Sequence, residues 1–400
     1  MAMTRRNFLE AGVGGVALTM AQGASHAQSP AAAGNPTAQG QDTVADLRTV
    51  VVGVDGADLT VPYLHDYLSV GATVWQYSQN TIDFDRFDSI DSFVDANSSK
   101  VTLAKSYSDI LAAKRAGKVA MVVGVQDMWP LEWQWRWRWQ DAHGMVVDAG
   151  PNDYVQSTPV TDLSGYYDRG LRIGNLSYQL STSFGGGLLD PTTPLSIAGE
   201  YMVDQMQEIG ILVDCTHSSE QTTLDIIKRT KRPVVFSHSN VLALNNNIRN
   251  ISDDQIKGIA DTGGLIGVNP VNAYLKWSVK DAPKAITGPF PHLATLSQYV
   301  DVMDYIRKLV GVDYIGLGTD FTYGNPPDYA ATHFPNPPSF VLPPTMLYYS
   351  DTLEYVQNFS GVKDLTVLRA ELVRHAYSPV DIAKILGGNW MRVFREAWNS

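Results

Sequence analysis

The chain has 400 residues, of which 44% are hydrophobic and 18% charged, enough to bury one barrel-sized core or two ordinary domains. A formal net charge of -11 leaves no basic stripe to neutralise phosphates, which argues against a nucleic-acid partner and for work on a small molecule. The single cysteine, Cys215, excludes an internal disulfide framework and reads as a residue packed in its strand.

The chain opens with Arg5-Arg6, a short glycine-containing apolar stretch and the small-residue site Ser25-His26-Ala27. This pattern predicts a twin-arginine export signal over residues 1–27, too short to span a bilayer permanently. The export machinery is then a partner and the periplasm the destination. That route carries proteins already folded, often with a cofactor in place, and suits a metal enzyme. Residues 28–46, rich in Ala, Gly, Gln, Ser and Pro, read as a flexible mature terminus, and residues 47–400 as one domain. No later stretch is long and apolar enough for a permanent membrane span.

Eight short apolar, β-branched runs follow: Thr49–Val54, Ala72–Tyr77, Val119–Val125, Leu171–Ser177, Ile211–Cys215, Pro233–Ser237, Gly264–Val268 and Tyr314–Gly318. Between them, Ala198–Gly210, Ser219–Thr230 and Ser252–Thr262 carry helical periodicity, the last started by Ser252-Asp-Asp. Near-continuous apolar strands alternating with helices mean a parallel sheet, and eight such units predict a closed (β/α)8 TIM barrel. Just past the eight ends stand Asp55, Ser78, Gln126, Tyr178, His217, His238, Asn269 and Asp320, all polar, as the C-terminal mouth of a catalytic barrel requires.

Two long excursions decorate that mouth. Met128–Gly165 holds a Trp/Arg alternation from Trp129 to Trp139, and Phe321–Thr352 is proline-rich. The tryptophans either wall a substrate cleft or cover the rim or a subunit interface, which leaves a homodimer open. His65, His143 and His375 read as solvated or capping residues.

His217 and His238 each close a short apolar strand, so that neighbouring parallel strands bring both imidazoles within reach of one ion. The ordered set Gly210-Ile-Leu-Val-Asp-Cys-Thr-His217, Pro233-Val-Val-Phe-Ser-His238-Ser, Arg249-Asn-Ile-Ser-Asp-Asp254, Gly263-Gly-Leu-Ile-Gly-Val-Asn269, Gly318-Thr-Asp320-Phe and Leu386-Gly-Gly-Asn-Trp-Met-Arg-Val-Phe394 resembles the membrane dipeptidase (renal dipeptidase) family of metallopeptidases, amidohydrolase-like barrels, from about Val51 to Phe394. The resemblance implies a dipeptidase-like hydrolase with two zinc ions sharing a bridging glutamate. It implies that His217 and His238 bind one ion, that Arg249 meets the free carboxylate of a small substrate, and that Asp320 moves the proton of the attacking water or departing amine.

The sequence departs from that family at three site positions. The first strand ends Val54-Asp55-Gly-Ala57-Asp58 where the family has His-x-Asp, Gln126 stands for the bridging glutamate, and Tyr178 stands for a histidine that polarises the scissile carbonyl. A neutral amide offers one acceptor oxygen in place of two, which points to one Zn2+ per chain, held by His217, His238 and a weak or water-bridged third group such as Gln126 or Asp127. Asp55 or Asp58 is a further possible carboxylate ligand. Tyr178 can hydrogen-bond an oxyanion in the lost histidine's stead, and Asn269 is placed to contact substrate. Three functions fit: a periplasmic metal-dependent hydrolase of dipeptides or dipeptide-like amides; a repurposed barrel acting as tailoring enzyme, lyase or isomerase on an amino-acid-derived or aromatic metabolite; or a binding protein without turnover.

Overall fold

A computed structural model describes residues 50–55, 61–79, 86–128, 131, 159–276, 293–321 and 355–398. The chain divides at Asp42/Thr43, and every described residue belongs to the second unit. The expected export signal, the flexible terminus, the Trp/Arg run apart from Leu131, His143, Asp58 and nearly all of the proline-rich excursion lie outside the described residues.

The strands are β1 (Val50–Asp55), β2 (Val74–Gln79), β3 (Val101–Leu103), β4 (Val119–Val125), β5 (Leu171–Gly174), β6 (Leu212–Val213), β7 (Val235–Ser239), β8 (Leu265–Val268) and β9 (Ile315–Leu317). Every ladder is parallel, in the orders β1-β2-β4-β5-β6 and β7-β8-β9. A parallel bridge between Asp214 and Val235 joins the two runs, and β1 also contacts β9. Leaving β3 aside, the strands follow one another in chain order around a (β/α)8 barrel, as the eight apolar runs predict. The unpredicted β3 pairs only with the first three residues of β4, below the point where β5 takes over that edge.

The barrel's strands are apolar throughout because both faces are covered. All seven residues of β4 are buried. One alternating set, with Val74, Ala120, Val122, Leu212, Val235 and Leu265, packs with Trp390, Val393 and Phe394; the other, with Trp75, Tyr77, Val123, Phe236 and Ile266, packs with the outer helices.

Among the described residues the α-helices are α1 (Val61–Ser69), α2 (Arg86–Ala96), α3 (Tyr107–Arg115), α4 (Pro159–Arg169), α5 (Ile197–Ile209), α6 (Glu220–Arg229), α7 (Asp253–Asp261), α8 (Ala273–Lys276), α9 (Leu296–Val310), α10 (Leu365–Arg374), α11 (Pro379–Ala383) and α12 (Asn389–Ala397). Helix starts follow the capping residues. Ser196 and Ser219 accept from Gly199 N and Thr222 N, and reciprocal capping boxes, Ser252/Gln255 and Thr295/Gln298, start α7 and α9. The three expected helices are found, with their capping residues outside them. Among the described residues no helix is long and apolar enough to cross a membrane.

The C-terminal α12 runs across the N-terminal ends of the strands. Arg392 donates to the carbonyls of Gly263, Gly264 and Asp313, while Trp398 Nε1 reaches Arg172 O of β5 across the floor at 3.3 Å. Trp390, wholly buried, donates from Nε1 to Leu317 O at 3.0 Å. One end of the barrel is thereby plugged, and the polar residues collect at the other.

Candidate metal centre

Above the apolar floor the barrel interior turns polar. Gly267 and Gly318 make this possible on the β7–β9 side, since a Cβ on either would stand 2.0 and 2.1 Å from Ser237 O. Without side chains at those positions, β8 and β9 close tightly around β7 and fix Ser237 and His238.

His217 and Asp320 both adopt left-handed backbone conformations, with φ of 69° and 49°. For residues other than glycine this conformation costs about 1–2 kcal/mol each, the kind of strain that clusters at functional positions. Both residues are buried.

The two histidine Nε2 atoms lie 3.2 Å apart. His238 has its Nδ1 2.8 Å from Ser237 Oγ, and Ser237 Oγ in turn donates to Asp214 Oδ2. Asp214 Oδ1 accepts the backbone N–H groups of Thr216 and Ser237, each at 2.9 Å. Burial raises the Asp214 carboxyl above the usual range, opposed by the hydrogen bonds from Ser237 and Thr216. Burial and the Arg249 guanidinium hold both histidines well below their ordinary range, so both imidazoles are neutral at pH 7.

Arg249 comes from the loop after β7, pinned by the Val241–Ile251 bridge and by Asn247 Oδ1, which accepts Arg249 N at 2.9 Å. Its guanidinium donates to Ser239 Oγ at 3.0 Å and to His238 O at 2.8 Å, and Nη2 is 3.2 Å from His217 Nε2. Because arginine only donates, that nitrogen of His217 is an acceptor. The Tyr178 ring lies on His217 with centroids 4.0 Å apart.

Asp320 Oδ2 accepts from Asn269 Nδ2 at 3.3 Å, and Tyr355 OH holds the Asp320 carbonyl at 2.8 Å. Burial pushes the Asp320 carboxyl up to about 6, against the pull of Arg249 and Asn269. Asn269, expected at the substrate, also accepts Val271 N, and its backbone is paired with the Asn240 side chain. Gln126 is buried at the end of β4 and Asp127 half-buried beside it; β1 ends at Asp55, of which only the backbone is described. A cavity of about 150 Å³ opens against His217 and Arg249, walled by Leu188, Pro191, Leu242 and Ile248.

The two Nε2 atoms suit one ion, since two nitrogens each about 2.0–2.1 Å from a tetrahedral Zn2+ stand about 3.3 Å apart. Among the described residues they have no third His, Cys, Asp or Glu ligand atom close enough to complete a three-ligand group. The one such group, Asp301, Asp304 and His375, is on the outer helices, where His375 Nδ1 meets Asp304 at 2.7 Å and Arg307 meets it at 2.8 Å. That is an ion-pair network tying α9 to α10. His65 is exposed beside Lys100, and Cys215 is buried with its thiol pushed well up.

Residues 152–330 match the membrane dipeptidase model, peptidase family M19. Over that segment the chain is similar to the M19 dipeptidases. An uncharacterised protein from the pqqA 5′ region of Klebsiella pneumoniae is 27% identical over 59% of this chain and 76% of its own length. Dipeptidase 3 of Rattus norvegicus is 24% identical over 60% of this chain, a match that spans only 42% of the rat protein. The crystal structure of an amidohydrolase from Pseudomonas aeruginosa superposes with a TM-score of 0.67 at 24% identity, covering 89% of this chain and 98% of that one. The matched segment contains β5 to β9, and with them His217, His238, Arg249, Asn269 and Asp320. Asp214, Ser237, Ser239 and Asn240 also reach the centre. They escaped the sequence reading, although Asp214 and Ser237 lie inside the two quoted strand motifs as the polar breaks in apolar runs.

Proposed function

We propose that this dipeptidase-like protein hydrolyses dipeptides or dipeptide-like amides bearing a free carboxylate, at a centre holding one Zn2+. The observation that carries the reading is the pair of neutral imidazoles with Nε2 atoms 3.2 Å apart. An ion bound there supplies a Lewis acid and brings the pKa of a bound water toward neutrality. Asp320, with its carboxyl near 6, takes the water's proton and returns it to the departing amine. Asn269 keeps that carboxylate aimed. Tyr178 donates its phenolic hydrogen to the carbonyl oxygen as negative charge builds there. Arg249 pairs with the substrate carboxylate, and Gln126 stands as the weak third ligand.

Elemental analysis of protein purified without added metal should give close to one zinc per chain or less, falling further in His217→Ala or His238→Ala. Two tightly held ions would overturn the single-ion reading. A panel of L,L and L,D dipeptides assayed with added Zn2+ should show turnover. If none is cleaved, the peptidase reading falls. The replacement of a histidine by Tyr178 then favours a barrel turned to lyase, isomerase or tailoring chemistry on an amino-acid-derived metabolite.

We also propose periplasmic delivery by the twin-arginine route, on the strength of Arg5-Arg6 ahead of a weakly apolar stretch. Changing both arginines to lysine should hold precursor in the cytoplasm, and undiminished export would refute the signal.

A further inference from the structure

The polar chain beneath His238 has a direction. Asp214 lies inside the barrel with Oδ1 taken by two backbone N–H donors and Oδ2 facing Ser237 Oγ. A carboxylate only accepts, so the Ser237 hydroxyl spends its one hydrogen on Asp214. Its oxygen then accepts what His238 Nδ1 offers at 2.8 Å, with room for a second donor in Thr216 Oγ1 at 3.2 Å. Imidazole protonated at Nδ1 keeps its lone pair on Nε2, the atom that faces His217.

We propose that Asp214 is a positioning residue that acts through Ser237 to hold His238 as the Nδ1–H tautomer, presenting Nε2 as a metal ligand. The proposal rests on the reading of His217 and His238 as ligands, but the tautomer itself can be read without metal. Asp214→Asn gives the sharpest contrast. The two backbone donors keep the amide oxygen at the Oδ1 position, and the amide nitrogen then faces Ser237 Oγ as a donor. Ser237 then turns its hydrogen to His238 Nδ1, at 2.8 Å the nearer acceptor than Thr216 Oγ1 at 3.2 Å, and the imidazole proton moves to Nε2, where it blocks the ion. The geometry is nearly unchanged while every hydrogen in the chain is reversed.

The test is made on the full chain stripped of metal, with the two His238 ring nitrogens followed by long-range 1H–15N correlation at neutral pH. His238→Gln serves to assign the signals. The wild-type chain should show Nδ1 protonated, and Asp214→Asn should show Nε2 protonated. Zinc affinity, measured by competition with a chelator, should fall about 10–100-fold in Asp214→Asn, the range typical of lost outer hydrogen-bond partners. Ser237→Ala should weaken zinc similarly, and Ser237→Thr, which keeps the hydroxyl, should recover much of the loss. A wild-type His238 protonated at Nε2 overturns the proposal even if no variant folds. So does an Asp214→Asn chain that folds with the wild-type tautomer. If the wild-type chain binds no zinc but shows the Nδ1–H tautomer that Asp214→Asn reverses, the hydrogen-bond relay stands and the metal reading is what fails.

Discussion

Asp320→Asn is expected to lower kcat by roughly 100-fold or more, because a positioned general acid or base contributes about that much, while zinc content and melting temperature stay close to wild type. Asparagine is nearly the same shape, tolerates a left-handed backbone as well as aspartate does, and still accepts from Asn269. What it cannot do is carry the proton. In the free enzyme the carboxyl sits near 6, raised by burial, so as a base it is competent above that pH and protonated below it. The acidic limb of kcat/KM should therefore fall as pH drops through about 6 in wild type, and that limb should be missing from the residual activity of the variant. Wild-type turnover in Asp320→Asn would remove the residue from the mechanism.

The second large effect is on stability. Trp390→Ala should cost about 3–5 kcal/mol, the range for emptying a fully buried aromatic site. The ring fills the space over Gly316, where a Cβ would stand only 2.7 Å from the indole nitrogen, and its N–H satisfies Leu317 O. Its removal leaves a cavity beneath β9 and a bare carbonyl in the floor. Urea unfolding would measure the loss, and a cost below about 1 kcal/mol would mean that the floor collapses to refill the space. Trp390→Phe should lie between, keeping the volume and losing the hydrogen bond.

The sequence showed the barrel where burial on both faces made the strands uninterrupted, as in Val119–Val125, and showed helices where serine caps preceded periodic runs. It hid β3, a three-residue Val-Thr-Leu too short to carry a period. His217 and His238 were legible because each ends a strand. The work of Asp214 was not, since an aspartate inside Ile-Leu-Val-Asp-Cys says nothing of the serine on the next strand that it meets. Nor does spacing reveal that Arg249, eleven residues past His238, folds back onto that residue's carbonyl. Such contacts depend on how two loops cross, and single-chain periodicity carries no record of that.

The placement of α12 bears on how the molecule is made. Trp390 and the following Trp398 seal the barrel from below, yet Asn389–Ala397 leaves the ribosome after every strand it covers. Until then Val74, Ala120, Val122 and Leu265 have no lid, and a nascent barrel carries a wet apolar bore. Closure waits on contacts between distant parts of the chain, the slow class in folding, so the nascent protein is at its stickiest just before α12 emerges.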